Sequence, residues 1–269
     1  MSEPIIITSR TNPRLVRIRK VRDGKVPGEI FVEGRRVVEE VIRSSTRLIE
    51  CVMSDEFAES EFGGQVRNRL HGDGVPVLTV SDSLFKSVSD TVHSQGVALI
   101  AARPRTGRDE IEKVIAKARQ ALIICLSAAN DPSNVGAVLR TAEAAGAAAV
   151  ILSKGSADAF SSKAIRSGMG SNVRVPVWEN ADIADVIKWA REHRIRVIAA
   201  DGEAEQKYAA IDWRRPSMII FGSEAHGLER KFLEMADEVV TIPMKNGVES
   251  LNLAVSAGII LFEAVRQHS

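Results

Sequence analysis

Between residues 12 and 22, Leu15, Ile18 and Val21 recur at helical spacing among arginines and lysines, and Asn12-Pro13 sets a cap and a first-turn proline before them. This pattern predicts a helix with a polar outer face. Short apolar runs alternate with such stretches as far as residue 102. Strands are predicted at residues 29–33, 48–53, 75–80 and 96–102, and helices at 35–43, 56–70 and 82–87. In the helix at 35–43, Val37, Val38, Val41 and Ile42 carry the period. The alternation implies a compact α/β domain.

Arg103-Pro104-Arg105-Thr106-Gly107 interrupts the pattern with proline, glycine and charge and reads as a linker, followed by a bridging helix over 110–119. From residue 121 the apolar runs become continuous, as in strands buried on both faces of a parallel sheet. Strands are predicted at 121–126, 147–152, 196–200, 218–222 and 239–242, with helices at 134–145, 183–193 and 251–266. Four or five parallel strands with intervening helices make a doubly wound α/β domain. The organisation read from the chain is thus 1–104, a connecting segment 105–118, and 119–269.

Composition narrows the class. The 269 residues are 45% hydrophobic and 26% charged, which suits a globular protein with a substantial core. The net charge of +1 hides an asymmetry: residues 1–36 hold nine basic and four acidic side chains, so this arm is +5 and the remainder −4. A basic arm points to phosphate contact or to a solvated helix face. The two cysteines, Cys51 and Cys125, lie in apolar settings and argue for a reduced, cytoplasmic protein. No signal peptide or membrane span is predicted, because the longest small-apolar run covers only residues 144–152. The five histidines share no metal-ligand spacing, so no metal is expected.

Three segments stand where α/β folds bind ligands, at strand ends and helix starts. The first is Asn130-Asp131-Pro132-Ser133-Asn134, with Gly136 and Arg140 following. Its plain structural use is capping by Ser133 or Asn134, with Arg140 paired to Glu143. The second is Gly222-Ser223-Glu224-Ala225-His226-Gly227-Leu228, two glycines flanking a carboxylate that would suit a cationic partner such as Arg140. Its plain use is a turn. The third is Ile242-Pro243-Met244 and then Ser250-Leu251-Asn252, opening a helix rich in Ala254, Ser256, Ala257 and Gly258. Capping and close helix packing are its plain uses. A weaker run, Ser161 to Gly170, lacks the third glycine of a dinucleotide fingerprint.

In this order and spacing the three segments resemble the signature motifs of the SpoU (TrmH-type) branch of the SPOUT methyltransferases. Asn134, Gly136 and Arg140 match the first motif, Gly222 to Leu228 the second, and Ile242 to Met244 with Ser250 to Ser256 the third. Thr11-Asn12-Pro13-Arg14, Phe31-Val32-Glu33-Gly34 and Ser94-Gln95-Gly96-Val97 carry a weaker match to the family's RNA-binding domain, a small α/β module like certain ribosomal proteins. Two departures stand beside the motifs. Ser127-Ala128 lies where many relatives have Asp-Gly, and Ala225-His226 replaces a more usual Gly-Arg.

The resemblance implies a C-terminal parallel-sheet domain with a deep trefoil knot, binding S-adenosylmethionine through Gly222, Ile242, Met244 and Leu251, in a homodimer joined through that domain. It implies methyl transfer to a ribose 2′-hydroxyl of RNA, with ribosomal RNA expected and tRNA or a catalytically inactive RNA-binding protein as alternatives. The implied catalytic set is Arg140, Asn134, Glu224, Ser250 and Asn252, with Glu224 orienting Arg140. The family is often described with this arginine as general base. An arginine keeps its proton at neutral pH, so a cation stabilising the incipient alkoxide, with a phosphate taking the proton, is the role expected here. Arg10, Arg14, Arg17 and Arg35 are the expected RNA contacts. An oxidoreductase on an ordinary doubly wound sheet would need a dinucleotide fingerprint that the chain lacks.

Overall fold

The computed structural model describes residues 5–118 and 120–268. It divides into two compact units: residues 1–104 together with Phe160–Val173, and Arg105–Ala159 together with Arg174–Ser269.

The first unit contains β1 (Ile5–Ile7), α1 (Pro13–Arg22), β2 (Glu29–Glu33), α2 (Arg35–Arg43), β3 (Leu48–Ser54), α3 (Asp55–Glu59), α4 (Glu61–Gly72), β4 (Val77–Val80), α5 (Asp82–Val88) and β5 (Val97–Ala102). Its strands order as β1-β4-β3-β5-β2, with β1, β4 and β3 parallel and β5 antiparallel to both neighbours. Leu15, Ile18 and Val21 of α1 pack with Phe31, Val52, Leu78, Phe85 and Ile100, so the threefold spacing in α1 does become a buried face. The helix expected over residues 56–70 is broken at Ser60. There the backbone is extended, and the hydroxyl donates to the Phe57 carbonyl (2.6 Å) while accepting from the Gly63 amide (3.0 Å). One serine therefore ends α3 and caps α4. Strand β1 was not expected, because three isoleucines give too short a run to read.

The second unit contains α6 (Arg108–Ile115), β6 (Leu122–Leu126), α7 (Pro132–Ala144) and β7 (Ala149–Ser153). The chain then contributes α8 (Ser162–Gly168) to the first unit. It returns with β8 (Val177–Ala181), α9 (Ile183–Glu192), β9 (Arg196–Ala200), β10 (Gln206–Lys207), β11 (Ser217–Phe221), α10 (Arg230–Met235), β12 (Glu238–Thr241) and α11 (Leu253–His268). The end of the helix expected over 110–119 falls on Arg119, outside the described residues. The strands order as β10-β12-β9-β11-β6-β7-β8, all parallel, where four or five were expected.

Ile123 and Cys125 pack with α6 and α9, while the intervening Ile124 is equally buried on the opposite face, so both faces of the sheet are covered. The chain leaves β6 towards β7 and β8 but arrives at β11 from the other side. The order therefore reverses between β6 and β11, and the carboxyl ends of these strands form a crevice. Among the described residues, no helix is long and apolar enough to cross a membrane, and no group of three or more His, Cys, Asp or Glu could hold a metal ion.

Candidate functional site

The carboxyl ends of β9, β11 and β12 and the start of α11 enclose a cleft of about 470 Å³, within the range of small-molecule sites. Gly222, Ile242, Met244 and Leu251, the four residues expected to hold a cofactor, all line it. So do Glu224, Ser250 and Asn252.

Local chemistry explains why the chain turns as it does here. A Cβ on Gly222 would lie 2.0 Å from the carbonyl carbon of Gly227 and 2.2 Å from the Leu228 nitrogen. Only glycine fits. Ser223 and Gly227 exchange two backbone hydrogen bonds of 2.9 Å, closing the loop that carries Glu224, Ala225 and His226. Asn246 and Gly247 both have positive φ, 57° and 72°, and give the loop after β12 its tight reversal.

Asn134 sits at the centre of the arrangement. The cap of α7 is Asp131, whose carboxylate accepts from the Ser133 amide at 2.9 Å, with Pro132 at the first helical position. Capping by Ser133 or Asn134 is therefore not what the structure uses, and the Asn134 carboxamide is released for other bonds. Its Nδ2 donates to Glu224 Oε1 at 2.8 Å, and its Oδ1 accepts from Asn252 Nδ2 at 2.9 Å. The Asn252 Oδ1 in turn caps α11, accepting from the amides of Ala254 (2.9 Å) and Val255 (3.4 Å). One chain of hydrogen bonds thus ties together three segments separated by 90 and 118 residues.

Two expected pairings do not form. Glu224 is bonded to Asn134 rather than orienting Arg140, and the Arg140 side chain forms no ion pair or hydrogen bond with any described residue. Glu143, the other candidate partner, is held by Arg174, whose Nη2 lies 2.9 Å from Oε2. Arg140 is exposed on α7 and does not line the cleft. His226 is exposed in the turn, with only its backbone amide bonded to the Ser223 hydroxyl at 3.2 Å.

Asp201, Gly202 and Glu249 line the cleft without having been singled out. The signal was Ala200-Asp201-Gly202 at the end of a buried strand, the same placement that marked Gly222. The Thr241 hydroxyl donates to the Gly202 carbonyl at 3.2 Å, fixing that loop to β12. On the far side of α11 the small residues do what their size suggests. A Cβ on Gly258 would meet Thr141 Cγ2 at 3.6 Å, so α11 lies directly on α7.

The four arginines expected to meet RNA lie in the first unit and are not equivalent. Arg14 pairs with Glu50 at 3.2 Å, and Arg17 pairs with Glu29. Among the described residues, Arg35 lies 4.0 Å over the Phe62 ring with no carboxylate partner, and Arg10 uses only its backbone carbonyl, accepting from Arg19 at 2.7 Å. Burial pushes the Glu50 carboxyl above the ordinary range for a glutamate, and the charges of Arg14 and Arg17 oppose that shift. Burial likewise pushes the Cys125 thiol up to about 12, which leaves it inert.

Residues 121–262 match the model of the SpoU rRNA Methylase family, and residues 31–107 match that of RNA 2′-O ribose methyltransferase substrate binding. The chain is 35% identical over 241 residues to the 23S rRNA (guanosine-2′-O-)-methyltransferase RlmB of Xylella fastidiosa, covering 89% of this chain and 97% of that protein. It is 30% identical to the 23S rRNA (guanosine(2553)-2′-O)-methyltransferase RlmP of Bacillus subtilis, over 86% of each. A solved RNA 2′-O ribose methyltransferase superposes with a TM-score of 0.80 at 30% identity, covering 98% of this chain and 99% of that one. The AdoMet-bound rRNA methyltransferase of Sinorhizobium meliloti gives a TM-score of 0.82 at 27% identity over 97% of each chain.

Proposed function

The chain belongs to the SpoU rRNA methylase family, and on that premise we propose that it moves a methyl group from S-adenosylmethionine to a ribose 2′-hydroxyl of large-subunit ribosomal RNA in the cytoplasm. The observation that carries this reading is the bonded junction of Glu224, Asn134 and Asn252 beside a cleft lined by Gly222, Ile242, Met244 and Leu251.

The residues present suit the cofactor. Gly222 lets the loop close on Gly227 and Leu228 at the wall of the cleft, Phe221, Ile242, Met244 and Leu251 offer apolar surface for an adenine, and Asp201, Glu224 and Glu249 offer carboxylates to a cationic ligand. When bound, S-adenosylmethionine supplies an electrophilic methyl group on its sulfonium. Asn134, held from both sides, positions the ribose, and Ser250 shapes the cofactor loop. Arg140 keeps an uncompensated charge for the substrate, stabilising the oxyanion as an RNA phosphate takes the hydroxyl proton. Glu224 serves by fixing Asn134 instead of Arg140.

The reading includes two properties of the family. The segment 242–252 lies against the loops after β9 and β11 around the cleft, which supports the trefoil knot. Val255 and Phe262 of α11, each about half exposed (51% and 50%), mark an apolar stripe beside the α7 contact and support a homodimer through this unit. A single-chain mass in sedimentation would remove the dimer.

The test is transfer of labelled methyl groups to unmodified 23S rRNA and to tRNA, side by side with Arg140→Ala. Alkali-stable label at one linkage of 23S rRNA is expected. The variant should lose activity on the order of 10³-fold while binding S-adenosylmethionine as wild type does. Full activity in the variant would sink the role of Arg140, and label confined to tRNA would overturn the substrate.

A further inference from the structure

The first unit contains a second hollow, of about 630 Å³, bounded by the start of α2, α3, α5 and residues 94–96. We propose that it receives one unstacked nucleotide of the RNA substrate, with the base in the hollow and the flanking phosphates on Arg35 and Lys86. This rests on the methyltransferase reading and names where the substrate is gripped away from the reacting ribose.

The hollow is held rigid from below. Glu33 is buried at 2% exposure, and its carboxylate accepts from the Asp90 amide (2.8 Å), the Thr91 hydroxyl (3.0 Å) and the Ser89 hydroxyl. A buried carboxylate with three donors is a costly device unless it fixes something, and what it fixes is the loop leading to Gln95 and Gly96. Gly96 closes that loop at φ 74°, where a Cβ would strike the Ser54 hydroxyl oxygen at 2.6 Å and Phe57 Cβ at 2.9 Å. Gln95 Oε1 accepts from the Arg35 amide at 2.7 Å, and its NH2 has no described partner. The hollow thus presents an oriented amide donor.

Its walls combine three kinds of surface. Phe57, 9% exposed, supplies an apolar edge over the buried Phe85, Glu56 and Asp82 supply acceptors, and Arg35 and Lys86 supply cations that form no ion pair with any described residue. A site for bare phosphate would not carry two carboxylates. A nucleobase, with an apolar face and an edge bearing both donors and acceptors, matches all three. An unstacked base presents its face as well as its edges, whereas in a paired A-form helix the faces are stacked and the major-groove edges lie in a groove that side chains cannot read. Arg14 and Arg17 are committed to Glu50 and Glu29, whereas Arg35 and Lys86 form no ion pair with a described residue.

The experiment uses the full chain, unmodified 23S rRNA containing 4-thiouridine, and the variants Arg35→Ala/Lys86→Ala and Arg69→Ala, the last at a residue outside the hollow that is paired to Asp73. The double variant is expected to bind RNA at least tenfold more weakly, with the salt slope reduced by about one for each phosphate that is no longer neutralised. Its affinity for S-adenosylmethionine should be unchanged. Photocross-links should fall on the peptide containing Lys86 or Gln95, and Arg69→Ala should bind within twofold of wild type. RNA affinity in the double variant equal to wild type, with methyl transfer intact, would overturn this site and leave the enzyme reading standing. Failure of the wild type to bind or methylate any RNA would overturn both.

Discussion

The cleft at the ends of β9, β11 and β12 is walled by backbone and by Glu224 and Asn252, both bonded to Asn134, whereas the hollow of the first unit is walled by charged side chains that form no ion pair with a described residue. In the cleft a glycine is dictated by a 2.0 Å approach of the facing backbone, and three polar side chains hold each other at 2.8–2.9 Å. In the hollow, backbone and the buried Glu33 fix the floor, but Arg35, which lies over the Phe62 ring, and Lys86 are tied to no carboxylate among the described residues. The contrast teaches what each site can discriminate. Backbone and a locked amide accept one shape, while mobile cations accept many sequences at the cost of strong salt dependence. Substitutions in the first place should act all or none, and those in the second by degrees.

The strongest test of the all-or-none side is Gly222→Ala. The added methyl cannot coexist with Gly227 and Leu228, so the loop must open and carry Glu224 away from Asn134. Calorimetry is expected to give a loss of S-adenosylmethionine affinity of at least about 100-fold, near 3 kcal/mol. A loss below fivefold would mean that the wall of the cleft yields, and the distinction between the two sites would blur.

How much of this could be read from the chain follows from how local each constraint is. Gly222 and Asn252 act on their own backbone or on the next turn of helix, and short-range patterns mark them. Asn134 misled, since it looks like a cap and the cap is Asp131, three residues earlier; its true partners lie 90 and 118 residues away. The ion pairs within the basic arm are hidden for the same reason. Arg17 meets Glu29, and Arg14 meets Glu50, which only the pairing of β3 with its neighbours brings near. Strand β8 escaped notice because a register shift against β7 and the positive φ of Asn180 spoil its alternation.

That commitment of Arg14 can be broken directly. Glu50 is buried and its carboxyl is raised by burial, with Arg14 opposing the rise. A carboxyl raised in the folded state contributes its stability below its unfolded value, and that contribution is lost as pH climbs through the folded value. Arg14→Ala lifts the folded value further. Thermal unfolding of this variant should therefore show a larger deficit near pH 7 than near pH 5, about 1–3 kcal/mol at the higher pH for a buried group left without its partner. Equal deficits at both values would mean that Glu50 is hydrated and that Arg14 is as free as Arg35.

The smallest effect concerns the backbone beside the cleft unit's first motif. Ala128 has φ 49°, the left-handed region that an alanine enters at a cost of about 1–2 kcal/mol. It is held there from both sides. Its amide donates to the Ser153 hydroxyl at 2.8 Å, and the Ala129 amide donates to the Ser156 hydroxyl at 3.2 Å. The turn must take this shape to bring Asp131 to the start of α7, and the two serines enforce it on a residue that resists. Ala128→Gly removes the resistance but adds unfolded-state freedom worth about 0.5–1 kcal/mol against it. The net expectation is a gain of roughly 0.5–1 kcal/mol in denaturant unfolding. A loss of stability would mean that the serine bonds already relieve the alanine. A gain would identify this turn, like the wall at Gly222, as a place where backbone shape was kept and the side chain made to comply.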